Sequence, residues 1–145
     1  MTGFNAKNPG FREHVTKGFD GQGLMATFGA KLIEVSPGRI VIEQDFHEGL
    51  LQQHGGLHGG TVAALLDTAC GFSAGTRLPE GQGITTIEFK TNFLAAGVGE
   101  KFRIEADVIK PGRTITVSEG RAYAIREGRE KLIGTMTATM MTITL

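Results

Sequence analysis

Leu57 to Ala74, LHGGTVAALLDTACGFSA, is the one long uninterrupted helical pattern in a 145-residue chain otherwise made of strand-length runs. Val62, Leu65, Leu66, Ala69 and Phe72 recur at helical spacing as a large apolar stripe. Gly60, Ala63, Ala64, Asp67, Gly71 and Ala74 make a second stripe of small residues with one carboxylate in its middle. A helix apolar on nearly all sides is predicted to be buried, and the rest of the chain to wrap around it. The small stripe lets another backbone or a ligand come close, so Asp67 is the residue that a function must explain.

The helix start is equally informative. His58-Gly59-Gly60-Thr61 places glycines in the first turn, where backbone N–H groups have no intrahelical partner. The chain there can close on a ligand oxygen and donate to it at the positive end of the helix dipole. Asp67 stands eight residues past Gly59, roughly 12 Å along the axis at ~1.5 Å per residue. A carbonyl held at Gly59 is therefore out of reach of the Asp67 on its own helix. If the two act together, two such helices lie side by side, each giving its N-terminus to the other's aspartate, and closed two-fold symmetry is the commonest way to arrange that.

Composition narrows the classes. The length suits a single domain, residues 1–145, that needs a partner to cover a one-layer sheet. Net charge is zero and no basic tract is present, so nucleic acid and anionic membrane are not expected partners. The N-terminal MTGFNAKNPGFREHV has no apolar run and no stretch is long enough to span a bilayer, which predicts a soluble, cytoplasmic protein. One cysteine, Cys70, excludes an internal disulfide and a cysteine-rich metal site. His47, His54, His58 and Asp67 lack any known ligand spacing, so a metal site is not expected.

In chain order, Phe11, Val15 and Phe19 predict a short helix within residues 8–20. Ala26 to Val35 and Arg39 to Phe46 read as a hairpin about Ser36-Pro37-Gly38-Arg39, and His47 to Gly56 as a loop leading to the helix. Ile84 to Ala95, Lys101 to Lys110, Thr114 to Ile125 and Lys131 to Thr144 read as four more strands. In the first of these, Thr85, Ile87, Phe89, Thr91 and Phe93 share one face, so Thr85 is expected on the core side. About five or six hairpin-linked antiparallel strands with one long helix inserted after the second is an α+β pattern: one curved sheet around one central helix.

The order of elements, with Leu57-His58-Gly59-Gly60, then Leu65-Leu66-Asp67-Thr68-Ala69, then Thr91-Asn92-Phe93-Leu94, resembles the hotdog-fold acyl-CoA thioesterases of the phenylacetate-degradation, PaaI-like, type. The likeness covers nearly all the chain from Ala26 onward. It implies a homodimer, often a dimer of dimers, that hydrolyses acyl-CoA to a carboxylic acid and CoA without metal or cofactor. By this resemblance Gly59 is the backbone donor that polarises the thioester carbonyl, with Gly60 and His58 shaping its turn. Asp67 of the neighbouring protomer is the general base or nucleophile. Gln52 falls where relatives carry an Asn or Gln that orients substrate or water, and Thr85 where some carry Ser or Thr near the carboxylate.

The chemistry is consistent with those residues. A thioester is already a reactive acyl donor, so an oxyanion-type donor and a base or nucleophile suffice without a full triad. Arg113, beside the Pro111-Gly112 turn, is the candidate to grip CoA phosphates. Two other readings stay open at this level. A hotdog enoyl-CoA hydratase or dehydratase needs an acid–base pair, with His54 or His58 joining Asp67. A non-catalytic acyl-CoA binding protein needs Asp67 only as a structural group.

Overall fold

In the computed structural model, which describes residues 3–145, the decisive stretch forms α3 (Gly59–Gly75). It lies against a single curved antiparallel sheet of six strands. Across the sheet these run β1 (Lys31–Ser36), β2 (Arg39–Asp45), β4 (Lys101–Lys110), β5 (Ile115–Arg126), β6 (Arg129–Thr144) and β3 (Gln82–Phe93). The third strand in sequence is thus the last in space, because α3 carries the chain across the sheet to its far edge. The α+β hotdog architecture expected from the sequence is the one observed.

The physical reason for the central helix is burial. Leu65, Leu66, Ala69 and Cys70 are all essentially inaccessible, packed between α3 and strands β2 to β6. Each large apolar side chain so buried contributes about 1.5–3 kcal/mol. β5 approaches so closely that a Cβ on Gly120 would stand 2.9 Å from Leu66 Cδ2 and 3.1 Å from Cys70 Sγ. Two hydroxyls pin the helix ends. Thr61 Oγ1 donates to the Leu50 carbonyl at 3.0 Å, while Thr76 Oγ1 donates to the Ser73 carbonyl and accepts the Gly38 N–H, both at 2.7 Å. Gly38 sits at φ 77° in the β1–β2 turn, the left-handed conformation expected of that position.

Two shorter helices precede the sheet. α1 (Phe11–Asp20) buries Phe11, Val15 and Phe19, the three residues whose spacing predicts it. α2 (Gly23–Phe28) corrects the sequence reading, which begins a strand at Ala26. Residues 26–28 finish this helix instead. Its end is fixed by Gly29 at φ 71°, with the Gly29 and Ala30 N–H groups donating to the Ala26 and Met25 carbonyls, and β1 starts only at Lys31.

β3 brings the second correction. It pairs with β6 in a register that shifts between Thr86 and Glu88, a bulge that reverses which side chains face α3. Phe89, Thr91 and Phe93 pair with Ala138, Met136 and Gly134, on the helix side as expected. Before the bulge the parity is opposite: Thr86 pairs with the buried Met140 and Thr85 with Met141, so Thr86 faces α3 and Thr85 faces away.

Candidate active site

The α3 N-terminus is built from the turn before it. The His58 N–H donates to the Leu50 carbonyl at 2.9 Å and the Leu57 N–H to the Gly97 carbonyl at 3.0 Å, which fixes where the helix begins. His58 then caps it: its Nδ1 accepts the Gly60 N–H at 2.7 Å. The His58 carbonyl takes the Thr61 and Val62 N–H groups. Among the described residues the Gly59 N–H has no acceptor, so the first turn keeps one donor, at the positive end of the helix, free for a ligand. The Phe93 ring covers Gly59 so closely that a Cβ there would lie 3.2 Å from Phe93 Cζ.

Asp67 lies two turns further along and is half-buried. Its Oδ1 accepts a hydrogen bond from Thr86 Oγ1 at 2.8 Å, and Thr86 Oγ1 also lies 3.4 Å from Met140 Sδ. One oxygen of the carboxylate is therefore held, Oδ2 has no partner among the described residues, and the residue lines a groove. The hydroxyl beside the carboxylate is that of Thr86, one residue on from the expected Thr85, which the bulge turns to the opposite face. Cys70, one turn from Asp67, is no alternative nucleophile: burial pushes its thiol well above the usual range, and the Asp67 charge adds to the effect.

The remaining candidates lie apart. Gln52 sits in the loop before α3, where its Oε1 accepts the His54 N–H and its backbone closes the turn to Gly56. It braces that loop and makes no hydrogen bond to Asp67 or Thr86 of the same protomer. Arg113 is exposed at the β4–β5 turn and does not line the groove beside Asp67. His47 caps the 3-10 turn Glu48–Leu50, its Nδ1 accepting the Gly49 N–H at 2.9 Å. No group of three metal-ligating side chains occurs among the described residues. Nor is any described helix long and apolar enough to cross a membrane.

A groove of about 570 Å³ opens beside Asp67, bounded by α1, α3 and β3. Within one protomer the arrangement supplies two half-sites. A free amide donor stands at Gly59 and an oriented carboxylate at Asp67, separated along a rigid helix by about 12 Å at ~1.5 Å rise per residue. Neither Phe93 over Gly59 nor Thr86 on Asp67 emerges from the motif reading. The apolar-polar-polar-apolar run Ile84-Thr85-Thr86-Ile87 was the available signal, since it breaks strict alternation where the bulge falls.

Comparison with known proteins agrees with this fold. The family model for the thioesterase superfamily matches residues 54–130, more than half of the chain. A thioesterase family protein from Silicibacter pomeroyi, seen in a crystal structure, is 44% identical, with a TM-score of 0.92 over 94% of this chain and 100% of that one. The 1,4-dihydroxy-2-naphthoyl-CoA hydrolase of Listeria monocytogenes is 27% identical over 111 residues, 77% of this chain and 88% of the relative. The E. coli PaaI protein from the phenylacetic acid degradation operon, at 16% identity, shares the fold with a TM-score of 0.83 over 95% and 96% of the two chains. With more than half its length matching the family model and six strands folded about α3, the chain belongs to the thioesterase superfamily as a hotdog-fold member.

Proposed function

We propose that the protein hydrolyses an acyl-CoA thioester to a carboxylic acid and CoA at a site shared between two protomers. The observation that carries this reading is the pairing of a free Gly59 N–H with an Asp67 carboxylate oriented by Thr86, on one helix but out of mutual reach. In a dimer the Gly59 N–H of one protomer holds the thioester carbonyl oxygen, and Asp67 of the neighbouring protomer meets the carbonyl carbon. As general base, Asp67 takes a proton from water, the hydroxyl adds to the carbonyl, and the oxyanion is held at Gly59. The C–S bond then breaks and CoA leaves as a thiolate, which needs little acid help because a thiol pKa is about 8.5. As nucleophile, Asp67 forms an anhydride that water opens. Label found in the Asp67 side chain after single turnover in ¹⁸O-water identifies the nucleophilic route, with water opening the anhydride at the Asp67 carbonyl.

The pairing surface favoured by this reading is the free edge of β3. It is twelve residues long, ends the sheet, and carries the exposed Ile87, Phe89 and Phe93. A long apolar edge strand invites a second copy. A hydratase is less well supported: His58 Nδ1 is already engaged with Gly60, and His54 lies in the loop before α3, beside Gln53. The test is thiol release from a panel of acyl-CoAs, with Asp67→Asn alongside. The variant is expected to lose at least about 10²-fold in kcat, a typical scale for a positioned base, with CoA binding and the melting curve nearly unchanged. Full turnover by Asp67→Asn would remove this carboxylate from the reaction.

A further inference from the structure

We propose that the groove beside Asp67 is a tail pocket for straight-chain acyl groups of medium length, walled on one side by α1 and graded along its length by Gly71 and Gly75. The proposal rests on the thioesterase reading and adds to it a substrate class and the residues that set it.

Two contacts and a shared lining define the groove's course. Thr68 Oγ1 lies 3.4 Å from Gln22 Oε1, just past the C-terminal end of α1. A Cβ on Gly18 would stand 3.0 Å from Phe72 Cε1, and His14 borders the same groove as Gly75. α1 therefore runs back along α3, antiparallel to it, and closes one side of the groove from Asp67 to Gly75. The opposite side comes from β3, where Thr86 stands at the level of Asp67 and Ile84 at the level of Gly71.

Polarity changes along this course. At the Asp67 end the groove is lined by Thr68, Gln22 and Thr86; beyond it Val15, Phe72, Leu78, Ile84 and Leu145 line it, together with the exposed His14 and Lys17 of α1. A channel polar where a thioester would react and mostly apolar beyond, with its two α1 polar side chains solvent-exposed, complements a reactive head on a hydrocarbon tail. Its length sets the chain. From Asp67 to Gly75 is about 12 Å at ~1.5 Å per residue, and an extended chain with ~1.5 Å C–C bonds advances roughly 1.3 Å per carbon. Eight to ten carbons, roughly, fill that distance. An arylacetyl group stops near Gly71 and leaves the far half unfilled.

The two glycines support the same occupant. A Cβ at Gly71 would have Ile84 Cγ2 and Met140 Cε no nearer than 4.0 Å, and one at Gly75 only Phe72 Cδ1 at 4.0 Å. Alanine fits at both positions, and Gly71, inside the helix, costs it about 1 kcal/mol relative to alanine, while Gly75 is its last residue. Packing within the protomer gives no reason for that cost, whereas a tail lying on the helix does.

Thiol release is measured for acetyl-, butyryl-, hexanoyl-, octanoyl-, decanoyl-, palmitoyl- and phenylacetyl-CoA. The expected kcat/KM rises by up to about fourfold per methylene, peaks at octanoyl or decanoyl, and falls by palmitoyl. Gly75→Val moves the optimum to shorter chains, lowering the octanoyl-to-butyryl ratio by about tenfold or more, as two lost methylenes predict. Leu78→Ala, at the far end, moves it to longer ones. A flat wild-type profile, or a preference for phenylacetyl-CoA over octanoyl-CoA, overturns the proposal. So does a Gly75→Val variant that changes the sedimentation of the dimer while leaving the chain-length ratio alone, because the groove then houses the second copy. If no acyl-CoA is hydrolysed, the thioesterase reading fails by itself. Calorimetric binding of octanoyl-CoA against acetyl-CoA, in wild type and Gly75→Val, then decides the pocket: tighter octanoyl binding weakened by the variant supports it, and equal binding overturns it.

Discussion

At Gly59 the missing side chain and the free N–H can be separated by mutation. Gly59→Ala puts a carbon against Phe93 Cζ, 3.2 Å away, and keeps the donor. Gly59→Pro adds the same carbon and removes the donor, at the first helical position, where proline's fixed φ is well tolerated. His58, at φ −59° and ψ 140°, already has the extended conformation that a following proline requires. The proline variant is expected to fall below the alanine variant by about 10²–10³ in kcat. Equal turnover by the two, measured by thiol release, would take the Gly59 amide out of the mechanism. Around Asp67 the sequence is legible to within one residue. The carboxylate stands out because it interrupts a stripe of small residues, but its hydroxyl partner does not: Thr85 and Thr86 are chemically identical, and only the bulge decides between them.

Among the elements, the outer face of β4–β5–β6 is held by a strap that crosses one strand. Arg103 on β4 lies over the Tyr123 ring on β5, 4.8 Å from its centroid, and reaches Glu130 on β6, with Nη2 to Oε2 at 2.9 Å. The hydrogen bond from Arg103 holds the Glu130 carboxyl below the usual glutamate range and raises the guanidinium in turn. A carboxylate whose folded pKa is depressed contributes stability that is present above its unfolded pKa and disappears as pH falls through the folded value. Glu130→Gln is therefore expected to lower the urea midpoint slightly at neutral pH and to match wild type once the solution is more acidic than the folded Glu130 pKa. A constant difference across that range would show the strap to be electrostatically idle.

The elements also differ in how plainly the sequence announces them. α3 and the β4, β5 and β6 strands follow from periodicity because one face, or all faces, of each is buried. α2 does not: Gly23-Leu24-Met25-Ala26-Thr27-Phe28 is too short to display a helical period, and its single buried anchor, Met25, reads equally well in a strand. Gln52 is a similar case at the level of a loop. Its side chain serves the turn that leads into α3, a role with no signature in spacing.

For the molecule as a whole, the decisive fact is that α3 cannot slide. Thr61 ties its start to the segment before it and Thr76 ties its end to the β1–β2 turn, so the amide and the carboxylate, a fixed interval apart along the helix, are held in place against the sheet. The dimer proposed above must match that interval, and this has a genetic consequence. Asp67→Asn chains retain a working amide, and Gly59→Pro chains retain a working carboxylate. Co-expressed in equal amounts, two inactive parents should complement each other: with two-fold pairing at random, half the dimers are mixed and each carries one intact site, restoring about a quarter of wild-type turnover. Thiol release from the purified mixture measures it, and a mixture as silent as its parents would mean that each chain works alone.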